Sequence, residues 1–270
     1  MAIKMIVSDL DGTMLNAAHK IPAANIEAVR EAQEKGVIVT FATGRMYSSA
    51  RPYAEELGIT APLITYNGAV VKTVAGELIS GSFMEEETVR AVLEYCFARD
   101  IYIQLYSDGE FYYVLQTEKA KAYEAAAGIK GHAVGREGML SRTKHVEKML
   151  IVGQTPEMSD DIVIDLNVKF SADIVAMKST EVYIEVIRPS VSKAGAMLVL
   201  AERYGIAPAE IMALGDSDND ISMLKAAGLA IAMGNANETV REMADYVTVS
   251  GEAGGVAEAI NKYVLKKESS

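Results

Sequence analysis

Met5-Ile6-Val7-Ser8-Asp9-Leu10-Asp11-Gly12-Thr13 runs from a short apolar strand into two carboxylates separated by one residue. Along a strand, residues i and i+2 lie on the same side. Asp9 and Asp11 therefore reach one small site if both sit where the strand gives way to a loop. Gly12 lets the chain turn sharply there. Two close carboxylates repel, so they need a cation, or one of them holds a proton. The stretch predicts either a site for Mg2+ and a phosphate or a plain strand-to-turn boundary, where Asp and Gly are common.

Outward from this strand, helical and strand patterns alternate. Residues 14–21 read as a short link folded as a small hairpin. Pro22 to Lys35 carries Ile26, Val29 and Ala32 at helical spacing, and Gly36 closes it. Residues 37–42 form a second buried strand ending in Thr43-Gly44-Arg45, and a helix follows over 48–57. Ile64-Thr65-Tyr66 is a third strand. Asn67-Gly68 makes a turn into a hairpin of residues 69–74 and 78–83. A βαβαβ order predicts a parallel sheet with right-handed crossovers.

From Glu85 the rhythm changes. Val89, Val92, Leu93, Cys96 and Phe97 mark an amphipathic helix, and two strands flank Ser107-Asp108-Gly109-Glu110 as an antiparallel hairpin. A helix is expected over 118–127, a glycine-rich loop over 128–145, and a second helix over 157–166. Strands are expected over 146–152, 170–177 and 182–187. Hairpin-joined strands with few helices predict an α+β unit. Residues 84–187 thus read as a domain inserted into a core made of 1–83 and 188–270. Parallel-type patterning resumes with a helix over 192–204 and a strand over 211–214 that leads into Gly215-Asp216-Ser217-Asp218-Asn219-Asp220. A helix marked by Ile221, Leu224 and Ala227, a strand over 229–233, a helix over 238–244, a strand over 246–249 and a closing helix over 256–265 precede a polar tail, 266–270.

Composition narrows the class. At 270 residues one large or two modest domains fit, and 50% hydrophobic residues are ample for a core. No apolar run approaches the ~20 residues of a membrane span. Met1-Ala2-Ile3-Lys4 has no signal-peptide layout, and the single Cys96 forms no internal disulfide. A cytoplasmic location with Cys96 as a buried thiol is expected. A net charge of −11 argues against nucleic-acid binding and requires positive charge to be concentrated locally around any anionic substrate.

In an open parallel sheet the ligand site lies beyond the carboxyl ends of the strands. Asp9/Asp11, Thr43/Gly44/Arg45 and Asp216 to Asp220 all fall at such ends, and Lys193 opens a helix. Singly, each has an ordinary explanation. Thr43 can start a helix, Lys193 can be a solvated lysine, and Arg45 can pair with a carboxylate at the helix start. A calcium loop from Asp216 fails, because its sixth position is Ile221 and its twelfth Ala227. Four clusters on one sheet edge are harder to explain singly. His19, His132 and His145 show no partner in the sequence.

The order of these clusters resembles the haloacid dehalogenase superfamily, and within it the Cof-type sugar-phosphatase group with a large C2-type cap. Asp9-Leu10-Asp11-Gly12-Thr13 is similar to the first family motif, Thr43-Gly44-Arg45 to the second, Lys193 to the third, and Gly215-Asp216 with Asn219-Asp220 to the fourth. Tyr66-Asn67-Gly68-Ala69 and Ala232-Met233-Gly234-Asn235-Ala236 resemble further stretches of the group. Ala194-Gly195 after the lysine and Ser250-Gly251-Glu252-Ala253-Gly254-Gly255-Val256 depart from it. The resemblance implies a Rossmann-like α/β core with an inserted α+β cap. It also implies an Asp9 nucleophile that forms an aspartyl-phosphate, and Asp11 as proton carrier. Mg2+ would be held by Asp9, Asp216 and the Asp11 carbonyl. The phosphoryl group would be held by Lys193, Thr43 and the backbone N–H groups of Leu10 and Gly44. Asn219 would orient Lys193 or the phosphoryl group, and Asp220 would support the metal shell from behind.

Three functions remain open on the sequence. A Mg2+-dependent phosphatase on small phosphorylated metabolites, with the inserted domain as lid, leads. A phosphomutase uses the same nucleophile but returns the phosphoryl group to a sugar. A non-catalytic metal- or phosphate-binding module is the third. The expected partner is a small phosphorylated metabolite, not nucleic acid or a membrane, and the expected state is a monomer or weak homodimer.

Overall fold

The computed structural model describes residues 2–267, so the last three residues of the expected tail lie outside the described residues. The chain divides into two compact units, one of them Gly81–Val191 and the other built from the segments on either side.

The flanking segments build a five-stranded parallel sheet. Its strands are β1 (Met5–Ser8), β2 (Ile38–Phe41), β12 (Ile211–Gly215), β13 (Leu229–Ala232) and β14 (Tyr246–Val247), in the order β14-β13-β12-β1-β2. Residue alternation explains why β1 is buried on both sides. Met5 and Val7 join one apolar cluster with Met197, Leu200 and Met223, while Ile6 joins another with Val29, Val39 and Ile260. The partners on the first face lie on α7 (Lys193–Arg203) and α8 (Ile221–Ala226); on the second, Val29 lies on α1 (Ala23–Glu34), Ile260 on α10 (Gly255–Ile260) and Val39 on the neighbouring strand β2. Truncating a fully buried residue such as Leu200 to Ala would cost ~2–5 kcal/mol.

The third strand, β3 (Leu63–Thr65), does not simply extend this sheet. It pairs antiparallel with β4 (Val70–Lys72), and β5 (Leu78–Gly81) completes a separate three-stranded sheet. Its link to β2 (Ile38–Phe41) is a single parallel bridge between Ala42 and Ile64. Residues 14–21 also differ from the expected hairpin. Asn16 Oδ1 accepts the N–H groups of Ala18 and Lys20, which closes a turn without a strand pair.

The inserted unit carries a six-stranded sheet. β6 (Tyr102–Ser107), β7 (Glu110–Tyr113), β9 (Val146–Val152), β10 (Val175–Lys178) and β11 (Tyr183–Ile187) pair antiparallel, and the short β8 (His132–Ala133) lies parallel to β7 at the edge. α3 (Glu86–Ala98) and α6 (Pro156–Lys169) pack Val89, Val92, Ile162 and Leu166 against one apolar cluster with Ile103, Met149 and Ile184. α4 (Glu118–Ala127) follows β7. Two expectations are corrected. Residues 128–145 hold β8 and α5 (Gly135–Leu140) rather than a loop alone. The strand expected from Phe170 starts only at Val175, because 170–173 turn to cap α6. Glycine-rich composition hid the first, and an apolar run with no clear period hid the second. Cys96 is buried in α3, and burial pushes its thiol up to about 12. Among the described residues no helix is long and apolar enough to cross a membrane.

Candidate active site

β1 and its two neighbours end together. Ser8 pairs with Leu214 of β12 on one side and with Phe41 of β2 on the other. Asp9, Ala42 and Gly215 therefore stand at one level, Gly215 still paired with Ala232 of β13, and the Asp9 N–H donates to the Leu214 carbonyl at 3.0 Å. Thr43 and Asp216 come one residue later. Gly12, at φ +77°, turns the chain back past Asp216, and a Cβ there would collide with the Asp216 carboxylate. Thr13 then donates to Asp216 Oδ1 at 2.9 Å.

Lys193 comes from the first position of α7. Ser192 caps that helix through its hydroxyl, which accepts the Gly195 N–H at 3.0 Å. Ser192-Lys193-Ala194-Gly195 is thus an ordinary helix start, and the unusual Ala194 does not disturb it. The ammonium of Lys193 is fully buried and donates to Asp9 Oδ1 at 2.7 Å and to Asp220 Oδ1 at 2.6 Å. The other Asp220 oxygen accepts the N–H groups of Asp216 and Ser217 at 2.9 and 3.1 Å. Both Asp220 oxygens are thereby engaged within the protein.

Oxygens of Asp9, Asp216 and Asp220 lie within 4.8 Å of one another, which gives three carboxylates around one lysine. Burial, reinforced by Asp220 and Asp216 and only partly offset by Lys193, pushes Asp9 up to about 8. Burial likewise pushes Asp216 up to about 6, against the Thr13 hydroxyl. Burial alone would lower Lys193, but Asp220 and Asp9 hold it above the usual lysine range. The cluster is short of positive charge. Asp9 and Asp216 offer hard oxygen donors, while Asp220 is already bonded behind them. That donor set fits Mg2+ better than a thiophilic metal.

Asp11 stands apart. Its side chain is 46% exposed against 7% for Asp9. Arg45 clasps it with two bonds of 2.6 Å, from Nε to Oδ2 and from Nη2 to Oδ1. His19 Nδ1 lies 3.1 Å from Arg45 Nη2, a neighbour that the sequence did not reveal. Thr43 is buried, and its hydroxyl accepts the Arg45 N–H at 3.1 Å. Asn219 does not bond to Lys193. Its amide donates to Asn67 Oδ1 at 3.1 Å. Asn235 pins the turn from the other side, donating to the Gly12 carbonyl and accepting the Gly251 N–H, both at 2.9 Å. Gly251 belongs to the unusual Ser250–Val256 stretch, so that stretch buttresses the nucleophile turn. Thr13, Asn67 and Asn235 lay in motifs that the sequence singled out, but only the fold pairs them.

The family described as haloacid dehalogenase-like hydrolase matches residues 6–260. The chain belongs to the haloacid dehalogenase-like hydrolases. This hydrolase is 30% identical to the 5-amino-6-(5-phospho-D-ribitylamino)uracil phosphatase YwtE of Bacillus subtilis (strain 168), over 96% of this chain and 98% of that one. It is similar to the crystal structure of a haloacid dehalogenase-like hydrolase from Bacteroides thetaiotaomicron at TM-score 0.88 and 30% identity, with 96% and 99% of the two chains covered. It is also similar to a sugar phosphatase of haloacid dehalogenase subclass IIB, at TM-score 0.83 and 25% identity over 96% and 98% of the chains.

Proposed function

We propose that this hydrolase is a Mg2+-dependent phosphatase that cleaves phosphate monoesters of small metabolites through a phosphorylated Asp9. The observation that carries the reading is a cluster of three carboxylates, Asp9, Asp216 and Asp220, beyond adjacent strand ends, in which the one buried lysine, Lys193, pairs with Asp9 and Asp220 and leaves Asp216 to a hydroxyl. Relatives named as phosphatases of a ribityl phosphate and of sugars support a phosphorylated sugar or polyol as substrate. A net charge of −11 favours a small substrate over nucleic acid.

Asp9 and Asp216, with the Asp11 carbonyl, would hold the ion, which when bound offsets the repulsion between an anionic nucleophile and a phosphate dianion. Asp9 attacks phosphorus, and the bond from phosphorus to the substrate oxygen breaks. A proton from Asp11 goes to that leaving oxygen. Water then attacks the phosphorylated Asp9, Asp11 takes the water's proton, and inorganic phosphate leaves with Asp9 restored. Lys193 holds Asp9 in place and meets the charge that builds on the phosphoryl oxygens. Thr43 and the N–H groups of Leu10 and Gly44 hold the remaining oxygens. Asp220 keeps Lys193 charged and aimed. Arg45 fixes the direction of Asp11. The inserted unit would act as the lid that selects the substrate and excludes water. Cytoplasmic action on a metabolite pool agrees with the buried, reduced Cys96.

The test is a screen of sugar, polyol and aryl phosphates with metal-stripped protein, reading released phosphate with and without Mg2+. Release that depends on Mg2+ is expected. Full activity after chelation would remove the metal from the reading. Phosphoryl transfer to a second sugar, with little free phosphate, would replace the phosphatase with a mutase.

A further inference from the structure

Tyr66, Asn67 and Gly68 stand consecutively at φ +52°, +57° and +104°. Two non-glycine residues in the left-handed region persist only where their surroundings over-determine them. Here three other segments of the same unit converge on them. The Tyr66 and Asn67 N–H groups donate to the carbonyls of Arg45 and Thr43 at 3.0 and 2.9 Å. A Cβ on Gly68 would collide with the Ser192 carbonyl, so the turn sits against the start of the helix that carries Lys193. A Cβ on Gly44 would lie 3.1 Å from Asn67 Oδ1, so the Gly44 backbone passes directly over that amide. The same oxygen accepts from Asn219 at 3.1 Å. The amide oxygen of Asn219 is buried with no hydrogen-bond partner among the described residues, so the orientation of Asn219 rests on Asn67.

We propose that Asn67 is a positioning residue that locks the Gly44 backbone and the Asn219 amide into one phosphoryl-binding surface. This rests on the phosphatase reading. Chemistry explains the residue type. The position needs an acceptor for Asn219 and a side chain that tolerates positive φ, which Asn does better than most. It must also carry no charge, because a carboxylate beside this surface would repel a phosphate dianion.

The test compares wild type, Asn67→Gly, Asn219→Ala and the double variant on p-nitrophenyl phosphate, with orthovanadate as a five-coordinate mimic of the transferring group. Glycine suits the backbone angle, so Asn67→Gly removes the amide alone. Its kcat/KM should fall roughly 30-fold, and the orthovanadate inhibition constant should rise by about the same factor. The double variant should be little worse than the worse single one, because both remove one surface. A drop in kcat with an unchanged orthovanadate constant means only lost folded enzyme, and overturns the proposal, as do losses that multiply in the double variant. Should Asn67→Gly not fold, the isosteric Asn67→Asp decides. It should weaken orthovanadate at least as much, and wild-type inhibition overturns the proposal. If wild type neither turns over nor binds orthovanadate, the phosphatase reading fails and this proposal with it. If wild type does both and Asn67→Gly matches it, this proposal fails alone.

Discussion

Each unit of the hydrolase buries a lysine, and the two lysines teach different things. In the inserted unit, Lys148 on β9 donates to Glu185 on β11 at 2.9 Å, and its ammonium lies 5.0 Å from the centre of the Tyr106 ring. Burial opposes its charge, but Glu185 holds Lys148 above its ordinary range. That pair is neutral as a pair. In the sheet unit, Lys193 faces both Asp9 and Asp220, with Asp216 close by. One ammonium cannot balance three carboxylates, and burial, with the neighbouring carboxylates adding to it, holds Asp9 and Asp216 above the usual carboxylate range. A buried ion pair is a packing solution, often no better than an apolar one. A buried cluster with surplus charge of one sign is unfinished without a ligand, and such clusters mark functional sites.

The largest effect expected from this contrast is on turnover. Asp9→Asn keeps the shape and loses the nucleophile, and Lys193→Ala removes the charge that faces the transferring group. Both should lower kcat by on the order of 10³-fold or more in steady-state assays. Lys148→Met should leave kcat per folded molecule nearly unchanged. If Lys193→Ala altered only KM, that lysine would be a binding group, and the contrast would weaken.

Asp11→Asn sharpens the comparison within the sheet unit, since Asp9 and Asp11 differ only in position. A proton donor matters most for a basic leaving oxygen. Cleavage of a sugar phosphate should fall ~10²–10⁴-fold. p-Nitrophenolate leaves readily, so rapid-quench mixing should show a burst of roughly one equivalent of p-nitrophenol and then a slow steady state. Equal losses on both substrates without a burst would leave Asp11 a structural partner of Arg45 only.

Next comes the stability of the inserted unit. Lys148→Met strands Glu185, and urea unfolding should show a loss of ~3–5 kcal/mol. Adding Glu185→Leu should restore most of it. A single variant as stable as wild type would mean that Glu185 does not depend on Lys148 for its compensation.

The smallest effect separates the clusters by pH. Folded Asp9, at about 8, and Asp216, at about 6, keep protons that the unfolded chain releases near 3.8. The folded state then binds more protons, so metal-free stability falls as pH rises from about 4 to about 8. Thermal unfolding in chelator should show a midpoint that drops over that range, and Mg2+ should flatten the slope. A chelated protein whose midpoint rises over that range would contradict the charge surplus.

Much of this was legible in the chain because it is written locally. Residue alternation in Met5–Ser8, helical spacing in Ala23–Glu34, and the capped start at Ser192 all act over a few residues. The motif order then placed Asp9, Thr43, Lys193 and Asp216 at one sheet edge, since parallel strands joined by crossovers end together. Less visible were the elements in 128–145, where glycine masks periodicity, and the departure of β3 into its own sheet, which depends on a partner seven residues later.

What the linear order could not decide is which carboxylate meets which cation. Asp9 and Asp11 are equivalent as a motif, yet one is buried on Lys193 and the other lies half exposed on Arg45. Asn219 could have served Lys193, but Asp220 occupies that place and Asn219 turns to Asn67. Contacts such as Thr13 with Asp216, 203 positions apart, arise only when separate strand ends are brought to one level. Local sequence specifies backbone conformation through short-range sterics and patterning. Partner choice among like charges depends on distances of a few ångströms and on burial, and these exist only once the sheet has been assembled.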